Sequence, residues 1–391
     1  MALLKDLTVD GKGHYGIGAS AVERREDLYT YLRITDICDD GTVNETDLKS
    51  VDDPEASKYL LKPNDIVFAR TGASTGRNYL YDGSDGVFVY AGFLIKFSID
   101  PAKVNPQYVK YFCRSVQYRN WISSFSTGST RGNINAQTLG NMEIQLPSRA
   151  QQDFLASILA PIDEKIKLNH KINDNLQQQV ATIFCEWFVT NPEKEMWPVV
   201  TLDSLTSLIS RGITPKYADD STQIVLNQKC IRDHYIDTSL ARKHTPKVIN
   251  EKWLQYGDLL INSTGEGTLG RTAQVWFAPE NMTVDSHVTI VRPQNQQLIF
   301  YIGLWGLSHE REIEALHTGS TGQTELPRDR VRALELRMPD NDILTRFNSM
   351  IEPMVSAIIV NQQENSRLAG IRDAILPRLM SGEIDVSDIQ L

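Results

Sequence analysis

Apolar positions recur along this chain with two periods, and the longer one organises the rest. Ile162, Ile166, Asn169, Asn173, Leu176, Val180, Ile183 and Trp187 follow one another at alternating four- and three-residue steps, which places them on one helix face as a heptad seam. The seam covers about 26 residues, roughly 39 Å at 1.5 Å per residue, and a stripe of that length needs a partner helix. Ser148, just after Leu146-Pro147, stands where the cap belongs. The partner lies in the same chain. A shift of about 192 residues carries Leu146-Pro147 onto Met338-Pro339, Phe154 onto Phe347, Pro161 onto Pro353, Ile166 onto Ile358 and Leu176 onto Leu368. It also carries Asn169 and Asn173 onto Asn361 and Asn365, so the repeat predicts two long antiparallel helices whose seam asparagines fix the register.

The rest of the chain alternates over shorter distances. Residues 29–34, 65–70 and 86–97 read as strands, Asn105-Pro106 caps a helix with Val109, Phe112 and Val116 on one face, and Met142, Ile144 and Leu146 alternate as a closing strand. Residues 198–337 repeat this order. Residues 65–70 correspond to 258–263, Gly72 to Gly265, Arg77 to Arg271, and Thr127-Gly128-Ser129-Thr130 to Thr318-Gly319-Ser320-Thr321, while Leu334, Leu336 and Met338 match the closing strand. The predicted fold is α+β: two similar domains, residues 1–147 and 191–338, with helical regions at 148–190 and 339–391. A shared skeleton with different filling suggests one kind of task performed on two targets.

Composition narrows the class. The 391 residues exceed one ordinary core and suit two domains plus a connection. No apolar run approaches the roughly 18 residues of a membrane span and no signal peptide is present, so the cytoplasm is the expected location. Cys38, Cys113, Cys185 and Cys230 are far apart and form no C-x-x-C pair, which argues against structural zinc and a disulfide framework. The net charge of −9 is uneven, with −6 carried by residues 148–197 and 339–391. Two nearly neutral domains remain, and there local clusters of cations matter more than the total.

Such clusters exist. No acidic residue lies between Asp100 and Glu143, where Lys103, Lys110, Arg114, Arg119 and Arg131 alternate with Tyr111, Tyr118 and Trp121. A second acid-free stretch, between Asp237 and Glu251, holds Arg242, Lys243, His244 and Lys247. Cations beside small hydroxyls suit phosphate and base contacts. The candidate DNA-binding residues are therefore Arg70, Ser74, Thr75, Arg77, Arg114, Arg119, Thr127, Ser129, Thr130 and Arg131 in the first domain. In the second they are Arg242, Lys243, Lys247, Asn262, Thr264, Thr268, Arg271, Thr318, Ser320 and Thr321.

Enzymatic signatures fail on context. Residues 265–270 match G-x-G-x-x-G, and 265–272 match a Walker A pattern except that Arg271 replaces lysine. Both patterns need a helix directly afterwards to aim its N-terminus at phosphate, whereas residues 272–279 read as a strand. There is no methyltransferase N/D-P-P-Y/F segment, no H-E-x-x-H, no G-x-S-x-G, and no nuclease D/E-x-K after Pro339-Asp340. The histidines show no metal-ligand spacing.

With the parts in this order, the chain resembles the specificity subunit (HsdS) of type I restriction-modification systems over nearly its whole length. The resemblance lies in residues 65–77, in Gly128-Ser129-Thr130 through Ile134-Asn135, in Leu146-Pro147, in Trp187-Phe188, and in the ending Leu376-Pro377-Arg378-Leu379-Met380-Ser381-Gly382-Glu383-Ile384. The second copy departs from it, with Glu325 and Leu326 aligned on Ile134-Asn135. The resemblance implies two target recognition domains, each reading half of a bipartite, asymmetric DNA site, and helices that set the spacer and dock two methyltransferase (HsdM) subunits. Those subunits would bring S-adenosylmethionine, restriction (HsdR) subunits would join to cleave, and this chain would hold neither catalytic residues, cofactor nor metal. The rival readings are a coiled-coil scaffold, a DNA-binding subunit of a related defence system, and a nucleotide-dependent enzyme.

Overall fold

Ser148 starts the first long helix through a capping box. Its hydroxyl accepts from the Gln151 N–H at 3.3 Å while the Gln151 side-chain oxygen accepts from the Ser148 N–H at 3.0 Å, so two otherwise unpaired donors are satisfied reciprocally. The helix runs over Arg149–Phe184, closes in a π turn at Cys185–Val189, and gives way to a turn capped by Asn191. A second long helix spans Asn341–Ser381. The computed structural model describes residues 1–45, 47–125, 133–245, 247–265, 267–319, 324–381 and 383. It divides into Met1–Lys167 with Asn365–Leu391, and Leu168–Glu364. Each long helix contributes residues to both units.

In the first unit a four-stranded antiparallel sheet is ordered His14–Tyr15, Leu94–Ser98, Asp65–Ala69, Asn78–Tyr81. A second sheet is ordered Ala21–Val22, Lys49–Val51, Tyr29–Leu32, Phe88–Tyr90, its last pair parallel. The stretch 86–97 is thus two strands in different sheets, because the chain turns at Gly92-Phe93. Both strands are apolar, and periodicity alone does not reveal the turn. Asp65 braces the hairpin it begins, accepting from the Lys62 N–H at 2.8 Å and the Ser98 hydroxyl at 2.6 Å. The core joins Phe68, Phe97, Tyr108, Tyr111 and Phe112 to Leu155, Leu159 and Leu376 of the long helices.

The second unit has the same kind of wiring. Its four-stranded sheet is ordered Thr206–Arg211, Val288–Pro293, Leu259–Asn262, Thr272–Gln274, and a three-stranded sheet again contains a parallel pair, Ile224–Leu226 with Met282–Val284. Asp258 occupies the place of Asp65, accepting from the Gln255 N–H and from Nε and Nη2 of Arg292, all at 2.8 Å. Helix residues 168–184 run antiparallel to 341–364 here. Asn169 donates to Glu364 at 2.8 Å, Asn361 donates to Asn173 at 2.8 Å, and Phe184 meets Phe347 with centroids 6.2 Å apart. Asn169 and Asn173 are both buried, as the seam requires, and Asn169 donates to a carboxylate there.

The second long helix is long and apolar enough, by length and composition, to cross a membrane, although Arg346 and Glu352 interrupt its apolar run. Its apolar residues form a stripe, however, with Leu344, Phe347, Ile351, Val355 and Ile358 fully buried in the second unit. Core packing accounts for that stripe.

Candidate nucleic-acid interface

In the first unit the strand Asp65–Ala69 ends in a loop that two glycines allow. Gly72 and Gly76 have φ of +77° and +89°, a region costly for other residues. A Cβ on Gly76 would also stand 2.6 Å from Ile122. The loop is therefore pressed against the helix Val116–Ser123, and the Tyr118 hydroxyl donates to the Gly76 carbonyl at 2.6 Å. Of its own hydroxyls, that of Thr75 donates to the Gly72 carbonyl, and Ser74 is buried.

The four cations stand in different surroundings. Arg70 lies 5.0 Å over the ring of Tyr15 and donates to Asn133 at 3.3 Å, while its Nε is buried with no hydrogen-bond partner among the described residues. Arg77 donates to Asp39 at 2.6 and 3.2 Å and to the Ile37 carbonyl at 3.2 Å. Asp39 is 84% exposed, and an ion pair so open to water is weak enough to be exchanged for a phosphate. Arg119 is exposed. Arg114 is different: it is turned inward onto Asp163 at 2.9 Å and is only 10% exposed, so it is withdrawn as a DNA contact. Thr127, Ser129, Thr130 and Arg131 lie outside the described residues.

In the second unit, Thr264 bonds the His287 ring at 2.8 Å and accepts from the Gln228 amide at 2.9 Å, while Thr268 donates to the Gly265 carbonyl at 3.3 Å. Asn262 is fully buried and donates to the Gln228 carbonyl at 3.2 Å, which makes it a support of this cluster and corrects its assignment as a contact residue. Thr272–Gln274 is a strand paired with Leu259–Ile261. No helix follows the glycines, and the phosphate-loop reading ends there. Arg271, partly exposed, sits at the end of the loop. Thr318 is tied to Glu325 through both backbone bonds, at 2.8 and 2.9 Å. Ser320 and Thr321 lie outside the described residues.

A separate exposed cluster occupies an edge strand of the three-stranded sheet. Arg242–Lys243 pairs with Ile224–Val225, and the Arg242 guanidinium lies 3.5 Å over the exposed ring of Tyr217. Lys243 and Lys247 are exposed beside it, and Lys247 donates to the Thr214 carbonyl.

The loop closures correct the sequence alignment. Ile134 N–H donates to the Arg70 carbonyl at 2.9 Å, and Leu326 N–H donates to the Ser263 carbonyl at 2.8 Å. Both residues are buried, and bridges join Asn133 to Thr71 and Glu325 to Thr264. Leu326 therefore answers to Ile134, and Glu325 to Asn133, one residue from the register read in the sequence. Where Asn133 receives Arg70, Glu325 receives Arg211 at 2.7 Å. Sequence reasoning did not single out Tyr15, Asn133, Tyr217, Gln228 or His287 as part of these sites. The exposed tyrosines among small and polar neighbours were the available signal.

Residues 29–178 match the family described as "Type I restriction modification DNA specificity domain". The MjaIX specificity subunit of Methanocaldococcus jannaschii is 25% identical over 314 residues, covering 72% of this chain and 70% of the relative. The HindI specificity subunit of Haemophilus influenzae is 20% identical over 448 aligned positions, covering 93% and 97%. The fold is similar to that of the S subunit of a type I restriction-modification system from M. genitalium, with a TM-score of 0.59 at 14% identity over 97% of this chain and 95% of that one.

Proposed function

We propose that the chain is a specificity subunit of a type I restriction-modification system, and that its two units each read one half of a bipartite, asymmetric DNA site. The observation that carries this is the recurrence of one arrangement. In each unit a glycine-bent loop leaves the second inner strand of a four-stranded sheet, meets the backbone of a later hydroxyl-rich segment, and stands beside an arginine and polar side chains that differ between units. Phosphate contacts position and base-edge contacts specify. Arg70, Arg77, Arg119 and Arg271 suit the first task, together with the Arg242, Lys243 and Lys247 cluster. Gln228, His287 and Asn133 carry the donor and acceptor pairs of the second. Arg131, Thr127, Ser129, Thr130, Ser320 and Thr321 belong to the proposal on sequence grounds alone.

The recognition domains are taken as residues 1–147 and 191–338, with the helices acting as a ruler and as the docking surface for two methyltransferase subunits. Leu168, Ile172, Met350, Val360 and Ile371 leave apolar side chains in water, at 53%, 40%, 43%, 61% and 42% exposure, and support docking there. S-adenosylmethionine and adenine methylation would belong to those subunits, cleavage to the restriction subunits, and recognition alone to this chain.

Selection from random duplexes by the chain with its methyltransferase partner should return two fixed blocks around an unread gap. Seven residues inserted after Leu176 keep the heptad phase, and the same blocks should return with a gap longer by at most about three base pairs. Selection of one uninterrupted block, or of none, counts against the reading.

A further inference from the structure

Asp163, on the first long helix, is the acceptor in a buried junction of the first unit. Its carboxylate receives the Lys110 ammonium, the Arg114 guanidinium and the Tyr111 hydroxyl, each at 2.9 Å, and the Arg372 guanidinium at 3.1 Å. Lys110, Tyr111 and Arg114 come from Pro106–Phe112 and the turn after it, the helix packed under the recognition sheet. Arg372 comes from the second long helix. One carboxylate thus ties three elements together, with Asp163 13% exposed and its cationic partners between 10% and 19%. Burial alone would raise the Asp163 carboxyl; the charges of Arg114 and Lys110 outweigh it and hold the group down at about 2. Burial drives the Lys110 ammonium down instead, and Arg114 beside it adds to that. The cations therefore crowd a site in which Asp163 is the shared carboxylate, with Asp373 a second partner of Arg372 alone.

The second unit builds the matching junction without charge. Tyr108 and Tyr301 correspond, each donating its hydroxyl to a carbonyl before the long helix, Gln145 or Arg337. That alignment places Gly303, Leu304 and Leu307 at the positions of Lys110, Tyr111 and Arg114, and the helix repeat places Val355 at Asp163 and Val180 at Arg372. Val180, Leu304 and Val355 are buried in one apolar core, with Leu307 packed against it. Apolar contact is non-directional, whereas a carboxylate with four donors fixes orientation as well as distance.

We infer that Asp163 is a positioning residue for DNA recognition, holding the first recognition domain at a set orientation on the long helices through this four-donor junction, while the second domain is held by apolar packing. The inference rests on the two-half reading proposed above. Charge contacts that orient a domain bear on specificity only at the half-site which that domain reads.

The test uses the full chain with its methyltransferase partner and duplexes altered in one half-site at a time. Asp163→Asn keeps the shape and removes the charge, leaving buried Lys110 and Arg114 without their carboxylate and Arg372 with only the exposed Asp373, 2.9 Å away. It should lower the melting temperature and cost about tenfold in discrimination at the first half-site, with the second half-site unchanged within about twofold. The combined variant Asp163→Val/Lys110→Leu/Arg114→Leu/Arg372→Val removes every charge at once and should recover thermal stability, since an all-apolar replacement is often neutral or stabilising. Its first half-site discrimination should stay reduced. Should Asp163→Asn fail to fold, the combined variant decides alone. A lower melting temperature with both discrimination ratios intact, equal losses at both half-sites, or full discrimination in the combined variant would each overturn the inference. Wild-type protein that discriminates at neither half-site would instead overturn the proposed function.

Discussion

Phe347→Ala is expected to cost about 3–5 kcal/mol in the stability of the second unit, the range for emptying a fully buried aromatic site. Phe347 is 0% exposed and its ring centroid lies 4.7 Å from Phe188, 5.9 Å from Trp187 and 6.2 Å from Phe184. These rings come from the end of the first long helix, its π turn and the second long helix, so the cavity would open where the helices and the sheet domain share one core. Stiff flanking helices collapse poorly into such a space, which puts the cost toward the upper end. Val360→Ala, on the same helix but 61% exposed, should change stability by less than about 0.5 kcal/mol. Urea unfolding of both variants checks the pair. A Phe347→Ala loss below about 1 kcal/mol would mean that the aromatic cluster is not the joint described here.

Arg242→Ala/Lys243→Ala/Lys247→Ala should weaken DNA binding to all sequences alike. Removing three phosphate contacts should also flatten the dependence of log affinity on log salt by roughly 2.7 units, at about 0.9 per contact on duplex DNA. The three residues are exposed on one sheet edge, and Arg242 is already ordered over Tyr217. Little entropy is lost in bringing that guanidinium to a phosphate. Arg114→Ala is the contrasting case: its side chain faces Asp163, so the slope should not move even though stability falls. Titration of duplex binding at four or more salt concentrations separates the two. An unchanged slope in the triple variant would remove this edge from the interface.

What the sequence reveals here follows the range of the interactions concerned. The cap at Ser148, the proline after Asn105 and the strand after Arg271 are set by neighbours within a few residues, and all are readable from spacing. Burial of Asn169 and Asn173 is equally local, since the heptad step alone places them on the seam. That Asn169 donates to Glu364 is a tertiary fact, which spacing along the helix does not reveal. Arg114 illustrates the same limit. Among cations and aromatics it reads as a phosphate ligand, because the carboxylate that claims it is 49 residues away. The one-residue error at Asn133 and Glu325 arose where the copies differ in loop length, so the fixed shift of the helices no longer applied. Backbone pairing with Thr71 and Thr264 sets that register, and it leaves no periodic trace.

The central claim, that the two units read separate half-sites, is tested most directly by exchange of residues 1–147 for those of a relative that keeps charges matching Lys110 and Arg114. Each unit has its own sheets and core, so the graft alters the surface of the first domain without touching the second. Methylation mapping in cells carrying the chimera and its methyltransferase partner should show one half of the modified site replaced and the other half unchanged. Replacement of both halves, or of neither, would contradict the account.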